Sequence, residues 1–521
     1  MWQPNILGIK SLRGNALVTA YMVCCGIAFT MFGYDQAVVG ALSNNPSLLH
    51  HMGVIKTDPL IVGCIVAIFS VGAIFGSAVT MLIGYRTGRR WLIFIGCLFL
   101  VIGAALQATS FSLAQMIAGR LIAGFGVGFV SCTIPLLASE IAKPNRRGIL
   151  IAALFTLAVV SAMAKCSNDE FIWRFPAAFQ GFFGTFTAVW FPNRYQLAFQ
   201  RCAKSQTQAT IFLLPESPRW LYARGYVEAA NNVLARVYDQ TEHSELIQAT
   251  YAALKAEVDD EEKREEKGFR LFTQCIKAMF WDTTDLKLGR RLRLCFLVMM
   301  LQEMSGLNVI VPYTNNLFEI DLKFDALKSI MIAAIIQVAW AAFTTCGMLT
   351  IERWGRRPTL MIGTTICTLG MTGFTISIAI GSESAGWAGM VMLIVFFFGF
   401  AFGMLPMSWL YPSEILPLHM RHVGLGVAGI TTWLFTFLTV FTGPISFTAT
   451  GYKIFILYII FNALVFPYAY FLMVETKDKT LEEVNLAFSP VAAASILGPQ
   501  VMARTHDEKD QMSGQVVEKE W

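Results

Sequence analysis

A glutamate and an arginine recur together at two places in this 521-residue chain. Ser139, Glu140 and Ile141 are followed by Arg147, seven positions after the glutamate, and Ser413, Glu414 and Ile415 are followed by Arg421 at the same spacing. A basic turn precedes each copy: Gly88, Arg89 and Arg90 in the first half, Gly355, Arg356 and Arg357 in the second. Opposite charges repeated at fixed offsets suit ion pairing rather than catalysis. Asp35 and Arg120 are different, because each stands inside an apolar stretch. A charge at mid-bilayer costs about 2.5–3.5 kcal/mol on insertion scales, so each should face a cavity or a partner. A carboxyl held between a cation and an apolar wall is able to change its protonation as those surroundings change. An ion pair that only fixes packing is the simpler alternative. No nucleophile–base set or metal-spaced cluster accompanies these residues, so an enzyme is not expected, nor a cofactor or metal.

The elements that must hold these charges are membrane helices. The chain is 55% hydrophobic and only 14% charged, too apolar for one soluble globule. Apolar stretches of the roughly 20 residues that cross a bilayer fall near 16–40, 59–83, 90–110, 113–135, 148–165, 175–214, 291–318, 326–350, 358–380, 386–410, 423–446 and 453–474. The expected organisation is a short N-terminal segment (1–15), a six-helix bundle (16–214), a polar helical linker (215–290), a second six-helix bundle (291–474) and a tail (475–521) that is polar and disordered after about 489. The first span is too long for a cleaved signal peptide and should stay in the protein. Arg86, Arg89, Arg90, Lys143, Arg146, Arg147, Arg353, Arg356, Arg357 and Arg421 all follow even-numbered spans. Positive residues stay on the cytoplasmic side, which puts both termini there. The net charge of +5 therefore follows membrane topology and implies no nucleic-acid partner. A half repeated in this way is how many transporters are built. The linker reads as a solvated bridge, and the eleven cysteines read as small core residues rather than disulfide partners.

The sixth span is interrupted at Pro192, Asn193, Arg194 and Tyr195. Deleting residues 189–208 joins the flanking apolar runs into one clean span, and the segment's ends fit a retained intron, since valine codons begin GT and a glutamine codon can be CAG. The expectation is a gene-model insertion; a real cytoplasmic extension is the alternative. Sequencing the transcript across these codons decides between them.

Six motifs carry a resemblance. They are Phe32 to Asp35; Gly119 and Arg120 with the glycines 124, 126 and 128; Pro215 to Trp220; Gln302, Ser305, Gly306 and Asn308; Trp409 to Glu414; and Glu475 to Lys477. Together they resemble the sugar porter family of the major facilitator superfamily, in the style of its fungal members, over nearly all of residues 16–486. The resemblance implies an all-α membrane protein with twelve transmembrane helices in two six-helix pseudo-repeat bundles. It implies a functional monomer in the lipid bilayer, by default the plasma membrane, moving a sugar by alternating access with a proton as partner. In such porters the aspartate matching Asp35 takes up the proton and the arginine matching Arg120 tunes it. The charges at the cytoplasmic helix ends (Arg89, Glu140, Arg147, Glu216, Arg219, Glu352, Arg356, Glu414, Arg421 and Glu475) clamp the bundles while the outside is open. Gln302, Asn308, Tyr313 and Trp409 match the family's sugar site, in which amides donate and accept at once and an aromatic face covers the sugar's C–H surface. The glycines read as packing residues, since no strand precedes them and their spacing is wrong for a dinucleotide loop.

The chain also departs from the pattern. Phe155 stands for a site glutamine, Glu303 for a second, Pro312 for the first tyrosine of a pair, Thr432 for an asparagine and Tyr85 for an acid or amide in the first-half turn. Glu303 is placed with the substrate site, binding a proton, a cationic group or only a neighbouring polar side chain. A standard glucose site is therefore not implied, and the class stays at hexose, pentose, polyol or disaccharide. A facilitative uniporter, a transporter-like nutrient sensor and an inactive copy are the competing readings.

Overall fold

The computed structural model describes residues 59–141, 214–241, 269–282 and 353–477 almost throughout. It describes 12–28, 244–255, 287–343 and 479–488 in part. The described helices are α1 Pro59–Thr87, α2 Arg89–Ala108, α3 Leu113–Ile141, α4 Pro218–Ala223, α5 Val227–Tyr238, α6 Phe269–Phe280, α7 Leu288–Glu303, α8 Leu307–Asn316, α9 Arg356–Ile380, α10 Glu383–Gly399, α11 Leu405–Ile415, α12 Leu418–Thr450 and α13 Ile454–Pro467. Seven helical stretches among the described residues are long and apolar enough to cross a membrane, and the last of them, Met420–Leu472, is 53 residues long and runs through both α12 and α13. The described residues are all-α and pack as two groups of helices, one from each half of the chain. The interrupted sixth span, Asp35, Phe155 and the tail after 489 lie outside the described residues.

Some of the described membrane helices bury one face and leave the other apolar, whereas α3 is 83% buried over its apolar window. In α13, Phe455, Tyr458, Asn462 and Val465 are buried while Ile456, Leu457, Ile460 and Leu464 are 42–52% exposed. An apolar outer face has no driving force in water and is what a helix presents to lipid. Inside the first bundle the backbones touch. A Cβ added at Gly124 would lie 2.0 Å from the Phe69 carbonyl oxygen, and one at Gly128 would lie 2.4 Å from that of Ala73. Small residues let α1 and α3 approach this closely, which is the packing role expected of them.

Three stretches differ from their sequence reading. The span expected as one piece at 291–318 is two helices, α7 and α8, broken at Met304, Ser305 and Gly306. The break frees helix carbonyls, and Asn462 Nδ2 donates to that of Ser305 at 2.8 Å. The span expected at 386–410 continues through a π-helical turn, Phe400–Met404, to Ile415. The linker is not a solvated bridge over α5, which buries Ala230, Val233, Leu234, Ala235, Arg236 and Val237. Arg236 Nε and Nη2 both donate to the Leu12 carbonyl at 3.2 Å, and Tyr21 donates to that of Pro215. The helical spacing of apolar residues over 228–236 marked the helix, but its partner is the N-terminal segment, far away in sequence.

Two large clusters form the core, one per bundle, a small third one (Val66, Ala67 and Val440) lies between α1 and α12, and the large ones interlock. Met81 of α1 lies in the cluster of the second half, and Trp433 of α12 in that of the first. Helix α12 runs along α1, with Gly63 beside the Phe441 backbone at one end and Gly426 beside Met81 at the other.

Candidate functional site

The basic turns build the same structure twice. Arg89 pairs bidentately with Glu140, at 3.1 and 2.9 Å, and Arg356 pairs bidentately with Glu414, at 3.1 and 2.7 Å. Glu216 accepts the backbone N–H groups of Arg89 and Arg90 at 3.1 and 3.3 Å, and Glu475 accepts those of Arg356 and Arg357, both at 2.9 Å. Each carboxylate thus caps the N-terminus of a membrane helix, where unpaired N–H groups and the helix dipole favour negative charge. The preceding residues, Gly88 (φ 83°) and Gly355 (φ 89°), occupy backbone that side chains avoid, and an added Cβ would lie 2.9 Å and 3.0 Å from those same carboxylates. The second arginines repeat as well. Arg90 Nη1 donates to the Leu214 carbonyl at 2.7 Å, and Arg357 donates to those of Ala469 and Tyr470 at 3.1 and 2.5 Å.

Burial alone would raise the pKa of Glu140. The charge and hydrogen bonds of Arg89, a hydrogen bond from Ser217 and the charge of Arg219 outweigh that and hold it below the usual carboxylate value. Thr476 Oγ1 donates to Glu414 at 2.5 Å, in the place that Ser217 takes in the first half. Both hydroxyls directly follow a motif glutamate and were missed by the sequence reading. Arg421 is buried, with Nη2 donating to the Leu416 carbonyl at 3.3 Å. Arg147 and Glu352 lie outside the described residues. Arg89–Glu140 and Arg90–Glu216 lie within the first half and Arg356–Glu414 within the second, so each pair fastens the helix ends of its own bundle.

At the centre, Glu303 ends α7 and is 6% exposed. Asn308 Nδ2, across the break on α8, donates to Glu303 Oε2 at 2.5 Å, and Thr436 Oγ1 of α12 donates to the same oxygen at 2.9 Å. Thr436 was also missed, although it stands one helical turn after Thr432. Gln302 is 5% exposed and its Oε1 is buried without a partner among the described residues, as is the hydroxyl of Tyr313. Trp409 is buried in the same apolar cluster as Tyr313. Thr432 does not face this carboxylate; its hydroxyl donates to the Ala428 carbonyl at 3.1 Å and to Met299 Sδ at 3.2 Å. The arrangement therefore offers donors, acceptors and an aromatic ring, as polar uncharged ligands require.

Arg120 is 1% exposed. Its Nη2 donates to the Val66 carbonyl at 3.2 Å and its guanidinium lies 5.1 Å from the Phe69 ring centre. Phe69 meets Trp433 edge to face at 5.8 Å, and Trp433 Nε1 donates to Ser131 of α3 at 3.2 Å. This chain of contacts connects Arg120 in the first half with α12 in the second.

Two pseudo-equivalent bundles with capped, ion-paired helix ends and a polar centre define a membrane carrier of the major facilitator fold. The family model described as sugar (and other) transporter matches residues 20–488, and the chain belongs to that family. It is 30% identical over 516 residues to the MFS-type transporter oryC of Aspergillus oryzae, covering 96% of this chain and 90% of that one. It is 28% identical over 487 residues to the galactose-proton symporter of Escherichia coli, covering 91% and 96%. The proton:xylose symporter XylE, solved with 6-bromo-6-deoxy-D-glucose bound, superposes with a TM-score of 0.73 at 20% identity, over 91% of this chain and 100% of that one.

Proposed function

We propose that this protein carries a sugar or related polyol across a membrane by alternating access, coupled to a proton. The observation that carries the reading is the set of polar atoms on α7 and α8. The buried Oε1 of Gln302 and the hydroxyl of Tyr313 lack partners among the described residues, one on each side of a broken helix. Leaving buried polar groups unmade costs about 1–3 kcal/mol each, a cost that a hydroxylated ligand offsets. The likeness to two sugar–proton symporters supports the substrate class and the coupling ion. Glu303, Asn308 and Trp409 complete the proposed binding set, and Asp35 with Arg120 forms the proposed proton site. The charged helix ends act as the cytoplasmic gate. The termini are cytoplasmic, the protein resides in the plasma membrane, and one copy suffices.

Uptake of hexoses, pentoses, disaccharides and polyols in cells lacking their own sugar carriers, with and without a proton uncoupler, tests the reading. Accumulation abolished by the uncoupler and by Asp35→Asn supports symport. Uptake indifferent to both leaves a uniporter, and no uptake of any member defeats the sugar reading. Proteins with and without residues 189–208 are both assayed.

A further inference from the structure

Glu303 is a carboxyl group where an amide would satisfy a hydroxylated ligand. Its two hydrogen bonds are distributed unevenly: Asn308 and Thr436 both donate to Oε2, which fills the two lone pairs of a carbonyl oxygen. Oε1 receives no hydrogen bond from any described residue. No charged side chain among the described residues acts on the group either, only those two neutral donors.

The titratable and charged groups on the packed elements sit elsewhere. On α7, Cys295 and Arg291 lie about 12 and 18 Å away along the helix axis. Tyr313 is on the far side of the helix break, on α8. Arg421 begins α12, and Glu414 ends α11 in its pair with Arg356. Tyr458 of α13 lies against Gly306, and Lys453 precedes that helix. In the first half, Arg120 is over Phe69.

A neutral carboxylic acid has the same outline as a primary amide. One oxygen accepts, and the other position donates. With Oε2 saturated by donors, the remaining proton belongs on Oε1, where it supplies the donor that a glutamine NH2 would offer. Ionised, the group becomes acceptor-only and loses that donor. Gln302 Oε1 and the Tyr313 hydroxyl are likewise buried without a partner among the described residues.

We propose that Glu303 is a protonatable substrate-binding group: neutral, it donates from Oε1 to a substrate hydroxyl while Oε2 accepts from Asn308 and Thr436, and on ionisation it releases that substrate. The proposal rests on the proposed function for the class of ligand, a hydroxylated uncharged molecule. It makes affinity depend on a proton held in the second half, separate from Asp35 in the first.

Infrared difference spectroscopy of the purified, lipid-reconstituted protein tests the protonation without any substrate. Wild type shows a protonated-carboxyl C=O band that disappears as pH rises. Glu303→Gln lacks that band, and Thr436→Val, which removes one donor from the accepting oxygen, shifts its frequency. A band retained in Glu303→Gln, or unmoved by Thr436→Val, overturns the proposal. A second arm measures KM against pH for D-xylose and D-galactose. Wild-type KM rises at least tenfold across the titration, whereas Glu303→Gln loses that step and keeps the low KM of the protonated protein. An unaltered KM profile in Glu303→Gln overturns the proposal. So does binding of cationic 2-amino-2-deoxyglucose at least tenfold tighter to wild type than to Glu303→Gln, which would assign the carboxylate to a cationic ligand. If neither sugar is transported, the proposed function fails while the infrared arm still decides the state of Glu303.

Discussion

Gln302 differs from an ordinary buried amide in what its removal should cost. A structural amide has its hydrogen bonds made within the protein, and truncating it leaves partners unsatisfied. The Oε1 of Gln302 has no such partner among the described residues. Gln302→Ala should therefore leave the melting temperature of the purified protein within about 2 °C of wild type. The apparent KM for the transported sugar should rise about 3- to 10-fold, the worth of one neutral hydrogen bond. A large loss of thermal stability at unchanged KM would return the residue to a packing role. At this scale the sequence was partly legible. The motif identified Gln302 and Asn308, and the apolar setting of Arg120 marked it as needing a partner. Thr436 was not legible, because a threonine in a membrane helix usually bonds its own backbone, as Thr432 does to Ala428. Only the fold brings α12 against the end of α7 and turns that hydroxyl to Glu303.

Ion pairs at the helix ends belong to the scale of the elements, and they are twofold by construction. Removing one partner of a buried pair strands the other, at about 3–5 kcal/mol. Glu140→Gln should lower stability by about 3 kcal/mol, the small end because the Arg89 side chain keeps 11% exposure, and Glu414→Gln by at least as much because both members of its pair are buried. Thermal unfolding of the reconstituted protein measures this, and a pair of near-zero effects would show that the bonds are dispensable. The pH dependence has a fixed sign. The pKa of Glu140 is lowered by folding, so its contribution is fully present above the ordinary carboxylate pKa near 4.5 and is lost as pH falls below it. Wild type should accordingly lose this stability on acidification, and Glu140→Gln should lose less. Gly88→Ala and Gly355→Ala should each cost about 1–3 kcal/mol, since both put a side chain at positive φ and push it toward the capping carboxylate. The repeat of these turns was legible in the sequence because charge and glycine spacing survive duplication. The break between α7 and α8 was not, although Glu303 and the Ser305-Gly306 pair stand there, because those residues read as ligand-site positions and not as a turn. What holds the break is Asn462, which lies in another span.

Over the whole molecule, the two halves meet along α1 and α12, and the contacts differ in kind along that line. Toward the ends, glycines face a backbone or a flexible side chain: Gly63 faces Phe441 and Gly426 faces Met81. Beside Gly63, the buried Val66, Ala67 and Val440 add a small apolar cluster. Near the middle of α12, Trp433 is fully buried, donates to Ser131 and packs edge to face on Phe69, which also carries the Arg120 guanidinium. In a carrier whose bundles rock about a central site, the ends must part in turn while the middle stays joined. Trp433 has the position and the bonding of such a pivot, and α12 connects it directly to Thr436 and Glu303 one turn further on. A double-mutant cycle on Trp433→Phe and Ser131→Ala tests this. Ser131→Ala removes this hydrogen bond and a weak one to the Gly128 carbonyl, whereas Trp433→Phe also leaves a cavity where the indole was fully buried. Ser131→Ala should lower stability by about 1 kcal/mol and Trp433→Phe by more, while adding Ser131→Ala to Trp433→Phe should cost little further, giving a coupling of about 1 kcal/mol. Because a pivot bond persists in both orientations, its loss should weaken the two end states alike. Stability should therefore fall while the ratio of inward to outward uptake rates stays constant. A rate ratio that moves tenfold or more would show the bond breaking during the cycle, and would place Trp433 in the gate instead.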